Sequence, residues 1–468
     1  MDEVIQDHCG WCVAYSLHDT YSFLRSLQHR GREAAGIGGV REDGKIDVVK
    51  WIGTLDRFSL NSLSQVFAQH TYRIWIGHVR YATAGRKEPA ELLQDAHPHA
   101  IGGREIHKGN HIIILGCEAA IVHNGQVSHP SFDLESCDSP QLLRYYLRNG
   151  IEDALNNVRC AYSAAIAEHG KGVLAFRDVT GIRPGVIGVK DGRRCAASED
   201  HALVVNGGRP VRDIIPGSVH YLDLEGGYHW KQVASSLPCY CMFEWQYLLG
   251  PNSVADGLSV RVHRESLGKQ LAREFCPSDA DFVTFLPESP ESAARVYAYE
   301  SGIPFLEGVF YKMRQDRAFQ GSTPEDRVTS IRENLHLSPD MRAALEDKVV
   351  IVIDDSMVRA NNIKRARDLL RNEAHVRKIY YVLYTPPIGL FDVHGRTRGC
   401  LYGVDMPPHD NFVIRGNERN LTEREISEKI GVEVKYISLE GMLQTFDRSG
   451  IKRENLCTYC VGGRGPDR

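Results

Sequence analysis

No run of 18 apolar residues occurs in this chain, and no basic leader followed by an apolar segment opens it. The first absence argues against a membrane-spanning helix and the second against secretion. Charge of one sign is also scarce. A net charge of −4 over 468 residues leaves no basic face for nucleic acid, and no nucleic-acid partner is expected. Internal repeats and low-complexity tracts are missing, which excludes solenoids and long disordered tails. Twelve cysteines are present without a secretory leader, so a disulfide framework is not expected; thiols kept for chemistry or metal in a reducing compartment are. The expected location is the cytoplasm. The length suits two or three domains with sizeable cores.

The two halves differ in texture. Up to about Leu237, short β-branched runs broken by glycine predict strands at Ile74–Val79, His111–Leu115, Ala119–His123, Gly172–Phe176, Gly185–Val189 and Ala202–Val205. Helical patterns at Asp19–His29 and Ser139–Arg148 interrupt them, which reads as a layered α+β domain. Beyond Leu237, helical stretches (His263–Phe275, Pro290–Glu300, Ile363–Asn372) alternate with strands (Phe282–Leu286, Val349–Ile353, Lys378–Tyr384). That alternation predicts βαβ units around a parallel sheet. The polar, weakly periodic segment Arg314–Leu337 reads as a mobile loop, and a short tail after Ser449 carries Cys457 and Cys460.

Five consecutive β-branched residues, Val349 to Ile353, read as a strand buried on both faces. Asp354, Asp355 and Ser356 stand at its carboxyl end, followed by Arg359, Ala360, Asn361, Asn362 and a helix. Ligands of open α/β sheets bind beyond the carboxyl ends of strands, and a helix start offers N–H groups to phosphate. Adjacent acids there suit a sugar diol and a magnesium-bound pyrophosphate. The bland alternative is a strand whose acids only cap the helix. The segment resembles the phosphoribosyl pyrophosphate (PRPP) loop of type I phosphoribosyltransferases, whose usual ending is Gly-Thr-Thr where this chain has Ala360-Asn361-Asn362.

Near the N-terminus, Cys9-Gly10 is followed by Arg30-Gly31 and Gly36, then Gly77-His78-Val79-Arg80-Tyr81, Asn124-Gly125 and Cys137-Asp138-Ser139. In that order the motifs resemble the class II glutamine amidotransferases, an N-terminal-nucleophile (Ntn) family with an αββα sandwich. The resemblance implies that Cys9 attacks the glutamine carboxamide and that its own α-amino group serves as base, which requires removal of Met1–His8 as a propeptide. It assigns Asn124 and Gly125 to the oxyanion, Arg80 to the α-carboxylate of glutamine and Asp138 to its α-ammonium. Cys12 reads as a core residue, and Arg30 with Glu33 as either functional or a helix-end pair.

Further along come Asp178 to Pro184, Ala197-Ser198-Glu199, Cys241 to Trp245, Asp256 to Val260, Pro287-Glu288-Ser289 and Gly403 to Pro407. The whole set, from Cys9 to Cys460, resembles the glutamine PRPP amidotransferases. The implied architecture is a glutaminase domain over residues 9–237, a phosphoribosyltransferase domain over 238–448 and a tail over 449–468. The implied reaction makes 5-phosphoribosylamine and pyrophosphate from PRPP and glutamine-derived ammonia, the first committed step of purine synthesis. Asp354, Asp355 and Ser289 would then serve Mg²⁺, and Ser356 with residues 359–362 the 5-phosphate side of PRPP. Cys241, Cys400, Cys457 and Cys460 match the ligands of the iron–sulfur class, implying a [4Fe–4S] cluster, with zinc the alternative and Cys239 a substitute for Cys241. The family also implies a homotetramer inhibited by purine nucleotides. Departures are the Ala-Asn-Asn loop, Arg332-Glu333-Asn334 where the family carries Arg-x-Lys, and an insertion around Asp392–Arg398. They leave two other readings: a paralogue with an altered phosphoribosyl substrate or acceptor, and a non-catalytic nucleotide or redox sensor.

Overall fold

The computed structural model describes residues 9–81, 89–133, 137–313, 334–404 and 406–466. The expected propeptide, most of the segment Arg314–Leu337 with Arg332 and Glu333, and Asp405 lie outside them. The chain divides into two compact units, one running to Tyr240 with residues 252–257 and 402–404, the other comprising the remainder.

Among the described residues the first unit is built on two antiparallel sheets. The nine-stranded sheet has the spatial order Arg209–Asp213, Val186–Lys190, Arg193–Ala197, Gly10–Ala14, Tyr72–Arg80, Ala34–Arg41, Ile46–Ile52, His111–Cys117, Arg104–Lys108. The six-stranded sheet runs Tyr228–Gln232, Ser218–Leu222, Gly172–Arg177, Arg159–Glu168, Ala119–Ser128, His99–Ile101. Alternation within the strands sets the layers. Trp11, Val13, Ile74 and Ile76 of the larger sheet pack with Val122, Ala165 and Ala175 of the smaller, so the main core lies between the sheets. The opposite face of the larger sheet, through Cys12, Val49 and Val79, packs on Phe23 and Leu24 of the helix Leu17–Ser26. The opposite face of the smaller sheet packs on Leu142, Leu143 and Tyr146 of the helix Asp138–Asn157. The result is the αββα sandwich.

One element differs from expectation. Ala202–Val205 read as a strand, yet Asp200–Val204 is a helix. Its burial is one-sided: Ala202 and Leu203 are fully buried while Val204 is 52% exposed. Asp200 at the first turn favours a helix start, and a single amphipathic turn of Ala-Leu-Val is indistinguishable from a short strand by composition.

The second unit contains a parallel sheet in the order Phe282–Phe285, Val349–Asp354, Lys378–Leu383, Glu433–Tyr436. Val349 to Ile353 are all at most 2% exposed, as expected of a strand covered on both faces. Val260–Glu274, Glu291–Ser301, Asn361–Asn372, Glu423–Ile430 and Leu439–Arg448 are helices, and the second and third of them connect into βαβ units. Among the described residues no helix is long and apolar enough to cross a membrane.

Candidate active sites

The glutaminase residues converge from four segments of the first unit. Cys9 is fully buried and immediately precedes Gly10–Ala14. The antiparallel register sets Gly10 opposite Val79, which brings Cys9 alongside Arg80 at the end of the next strand. The carbonyl of Cys9 accepts from Arg30 Nε at 3.0 Å. Arg30 in turn pairs with Glu199 at 2.7 Å, and His29 reaches the same carboxylate oxygen at 2.9 Å. Ser253 donates to the other oxygen at 2.6 Å. Burial alone would push the Glu199 carboxyl up, but His29, Arg30 and Ser253 outweigh it and hold it well below the usual carboxylate range. Arg30, read as a possible helix-end partner of Glu33, is thus the group that fastens the main chain at Cys9 to a buried carboxylate.

Asn124 and Gly125 lie in Ala119–Ser128, where Asn124 pairs with Ser163 and Gly125 with Tyr162. The Asn124 side chain is fully buried, yet neither its amide nitrogen nor its oxygen has a hydrogen-bond partner. A buried carboxamide left unpaired is expensive, which marks it as a group kept for a ligand. Gly125 is obligatory here. Its φ is +132°, and a Cβ would come within 1.9 Å of the Ala161 carbonyl oxygen.

Asp138 opens the helix Asp138–Asn157. Its Oδ2 accepts the Val127 N–H at 2.9 Å and its Oδ1 the Ser139 hydroxyl at 3.2 Å. Its side chain keeps 23% exposure, so one edge of the carboxyl stays open. Enclosure pushes this carboxyl up to about 6 despite the opposing N–H and hydroxyl donors and Arg80. Arg80 is buried, with Asp95 at 3.6 Å from its guanidinium. A carboxylate and a guanidinium flanking a carboxamide and a buried thiol can hold an α-amino acid by its head and present its side-chain amide to sulfur.

Sequence reasoning missed a group of histidines next to this pocket. His78, His97, His99 and His123 are all buried; the His78 and His97 rings stack at 4.0 Å. His78 Nε2 reaches the His123 carbonyl at 2.9 Å, tying the two sheets together beside Asn124. The His97–Pro98–His99 stretch passes so close to Gly36 that a Cβ there would lie 2.1 Å from the His97 carbonyl oxygen. That contact explains the glycine of the Ala-Ala-Gly36 motif. The signal in sequence was the pair His97 and His99, but nothing tied them to His123.

In the second unit Asp354 and Asp355 stand at the carboxyl end of Val349–Asp354, 5% and 7% exposed. Asp354 accepts the Asp355 N–H at 2.9 Å and a short hydrogen bond from the Tyr381 hydroxyl. Burial, then the neighbouring Asp355, drives the Asp354 carboxyl well above its ordinary range. Ser356 donates to Asp355 at 2.6 Å. Ser289 follows the adjacent strand, whose Phe285 pairs with Ile353, so it reaches the same end of the sheet. Ala360 is the N-cap of Asn361–Asn372 and sits at φ +63°, ψ +18°, the left-handed region that the family's glycine would take without strain. Arg359, expected at the 5-phosphate, forms a two-point ion pair with Asp410, with Nε to Oδ1 at 3.0 Å.

Cys241, Cys400, Cys457 and Cys460 are each 8% exposed. The short strands that carry Cys241 and Cys457 pair with each other. The Cys460 thiol is held well above its ordinary value by burial and then by the nearness of Cys400 and Cys241. Among the described residues no three His, Cys, Asp or Glu side chains gather closely enough for one metal ion.

Comparison with known proteins shows the family. No protein-family model matches the chain. It is 32% identical to an amidophosphoribosyltransferase of Methanocaldococcus jannaschii, over 95% of this chain and 93% of that protein. The chain belongs to the amidophosphoribosyltransferase family. A chloroplastic amidophosphoribosyltransferase of Arabidopsis thaliana is 30% identical over 99% of this chain and 80% of its own length. Among solved structures, the glutamine PRPP amidotransferase of B. subtilis complexed with ADP and GMP superposes with a TM-score of 0.77 at 26% identity. It covers 98% of this chain and 97% of its own. A structure described as the allosteric regulatory enzyme of purine biosynthesis gives a TM-score of 0.78 at the same identity.

Proposed function

We propose that this chain is an amidophosphoribosyltransferase that hydrolyses glutamine and uses the ammonia to displace pyrophosphate from C1 of PRPP, giving 5-phosphoribosylamine for purine synthesis. The observation that carries the residue assignment is the fully buried, unpaired carboxamide of Asn124 beside Gly125. Glutamine lies with its α-carboxylate on Arg80 and its α-ammonium on Asp138. The Cys9 thiol attacks the carboxamide carbon, the developing oxyanion takes the Asn124 amide and the Gly125 N–H, and ammonia leaves. Water then hydrolyses the thioester. The free α-amino group of Cys9, exposed when Met1–His8 are removed, carries the proton from sulfur to the leaving group.

At the second site, Asp355 and Asp354 face the ribose and its metal, Ser289 lies beside them, and Ser356 with Ala360, Asn361 and Asn362 holds the 5-phosphate. Two adjacent carboxylates at a strand end suit Mg²⁺, which takes one or two protein oxygens and the rest from substrate and water. When bound, Mg²⁺ neutralises the departing pyrophosphate. Arg359 serves by keeping the loop on Asp410.

We infer a [4Fe–4S] cluster over zinc at the four cysteines, as the resemblance to the iron–sulfur class implies. A single zinc ion needs all its sulfurs at about 2.3 Å, whereas a cluster binds each cysteine to a different iron and accepts wider spacing. The nucleotides named with the B. subtilis relative support purine nucleotides as inhibitors, and we place the enzyme in the cytoplasm as a homotetramer.

The test is pyrophosphate release from PRPP with glutamine and, separately, with ammonia. Cys9→Ser should abolish the first and spare the second. Loss of both, or of neither, refutes the division of labour. Mass spectrometry of the active chain should begin at Cys9. The purified protein should be brown and lose its iron in Cys400→Ser; stoichiometric zinc instead would sink the cluster.

A further inference from the structure

Ser139 is fully buried, and its hydroxyl has three polar neighbours from three parts of the chain. His97 Nε2 lies at 2.8 Å, His123 Nδ1 at 2.9 Å and Asp138 Oδ1 at 3.2 Å. A hydroxyl has one proton to donate and two lone pairs to fill. The Asp138 carboxylate can only accept. If the proton goes to Asp138, both imidazoles must donate, which fixes His97 as the Nε2–H tautomer and His123 as the Nδ1–H tautomer. The rest of the cluster agrees with this arrangement. His78 must carry its proton on Nε2 to donate to the His123 carbonyl at 2.9 Å. The other nitrogens of His78 and His97, both Nδ1, are buried without a partner, as bare acceptors would be. The Val127 N–H already occupies Asp138 Oδ2.

We infer that the Ser139 hydroxyl, forced into its donor direction by His97 and His123, is the positioning group that turns the Asp138 carboxylate toward the α-ammonium of glutamine. This rests on the reading of Asp138 as the ammonium site. Ser139 and Val127 hold one lone pair on each carboxylate oxygen, and the exposed edge is left for the substrate. A second proton on His78 or His97 would sit on a buried Nδ1 that has no hydrogen-bond partner. Burial, with the neighbouring rings and Arg80, keeps His97 well below its usual range and pushes His78 down to about 3. His78 and His97 therefore stay neutral while Asp138 titrates. The charged or titratable groups around Asp138 are Arg80, His123, Cys137 and, beyond the serine, His97.

Glutamine kinetics across pH test this in Ser139→Ala and Ser139→Thr, with Asp138→Asn as reference. A hydrogen bond to a charged group is strong enough that its loss should raise the glutamine KM on the order of ten-fold. The acid limb of kcat/KM should also move to higher pH, because a donor that favours the ionised carboxylate is gone. Threonine should restore both. A wild-type KM and acid limb in Ser139→Ala, with a raised KM in Asp138→Asn, overturns the positioning role alone. A wild-type KM in Asp138→Asn overturns the assignment of Asp138 beneath it. If Ser139→Ala does not fold, ¹⁵N-histidine spectra of the intact enzyme decide, the His123 signal being identified with His123→Gln. An Nδ1–H tautomer at His123 supports the inference; an unprotonated Nδ1 would draw the serine proton to itself and refutes it.

Discussion

Replacing Asn124 by leucine should stabilise the protein while it destroys the glutaminase. The two side chains have nearly the same shape, so packing in the strand is preserved. What changes is the buried polarity: both the oxygen and the nitrogen of Asn124 are unpaired. Each unsatisfied buried group costs about 1–3 kcal/mol. Taking the lower figure for each, since water can reach a pocket built to admit glutamine, the gain is about 2 kcal/mol. With a urea m-value of about 2 kcal/mol/M, the midpoint of the first unit should rise by about 1 M. In the same variant the oxyanion loses a donor, which lowers kcat by about 10²–10³. On the proposed division of labour the ammonia-dependent reaction draws only on the second unit and reports whether the rest of the chain is intact. The opposed signs are the diagnostic. A lowered urea midpoint would show that the carboxamide is satisfied in the resting protein, and a glutaminase within about five-fold of normal would remove Asn124 from the oxyanion site.

Other outcomes follow from the same geometry. Gly125→Ala drives a Cβ to within 1.9 Å of the Ala161 carbonyl at a φ of +132°, and should lose several kcal/mol of stability, roughly 3 or more, with no glutaminase; a normal melting curve would contradict this. Glu199→Gln leaves the Arg30 charge, its side chain 1% exposed, without its carboxylate, and should cost about 3 kcal/mol in chemical unfolding. The depressed Glu199 carboxyl also contributes stability that is complete above its unfolded pKa and is lost as pH falls through the lower folded value, so wild type and Glu199→Gln should converge in strong acid. Glutamine kcat/KM should fall below about pH 6, where Asp138 takes a proton and can no longer receive an ammonium; an acid limb near pH 4 would show the carboxyl to be solvated normally.

What could be read in the sequence was whatever a short segment determines by itself. Val349–Asp354 was legible because five β-branched residues have few uses other than a strand covered on both faces. Cys9, Arg80, Asn124, Gly125 and Asp138 could be named as candidates because each sits in its own local motif, although only the register of Gly10 on Val79 brings the first two together. The histidine–serine network was not legible. His97, His123 and Ser139 come from three separate segments, and their meeting is decided by sheet packing. Asp410 lies 51 residues from Arg359, so the ion pair that takes up the loop arginine had no local signal. Asp200–Val204 failed for the opposite reason: its three apolar residues suit either periodicity, and a single helical turn is too short to show which.

The phosphate loop shows which property of a motif the fold preserves. Ala360 departs from the family's glycine, yet its backbone takes φ +63° all the same. An L-residue in that region bears about 1–2 kcal/mol of strain. Against this, alanine gains about 0.4–1 kcal/mol over glycine by restricting the unfolded chain, and its methyl, 4% exposed, adds up to about 0.8 kcal/mol of burial. The terms nearly cancel, so alanine is tolerated where glycine is conformationally ideal. Ala360→Gly should therefore change the stability measured in urea by less than about 1 kcal/mol and leave the PRPP KM close to normal, because the N–H groups at the helix start already point the same way. Ala360→Val should behave differently. A β-branched side chain at positive φ has no comparable compensation, and the loop should either flip out of the left-handed region or unfold. If Ala360→Gly instead sharpened PRPP binding many-fold, the left-handed turn would be only partly populated in the native enzyme, and the departure in sequence would be a functional one.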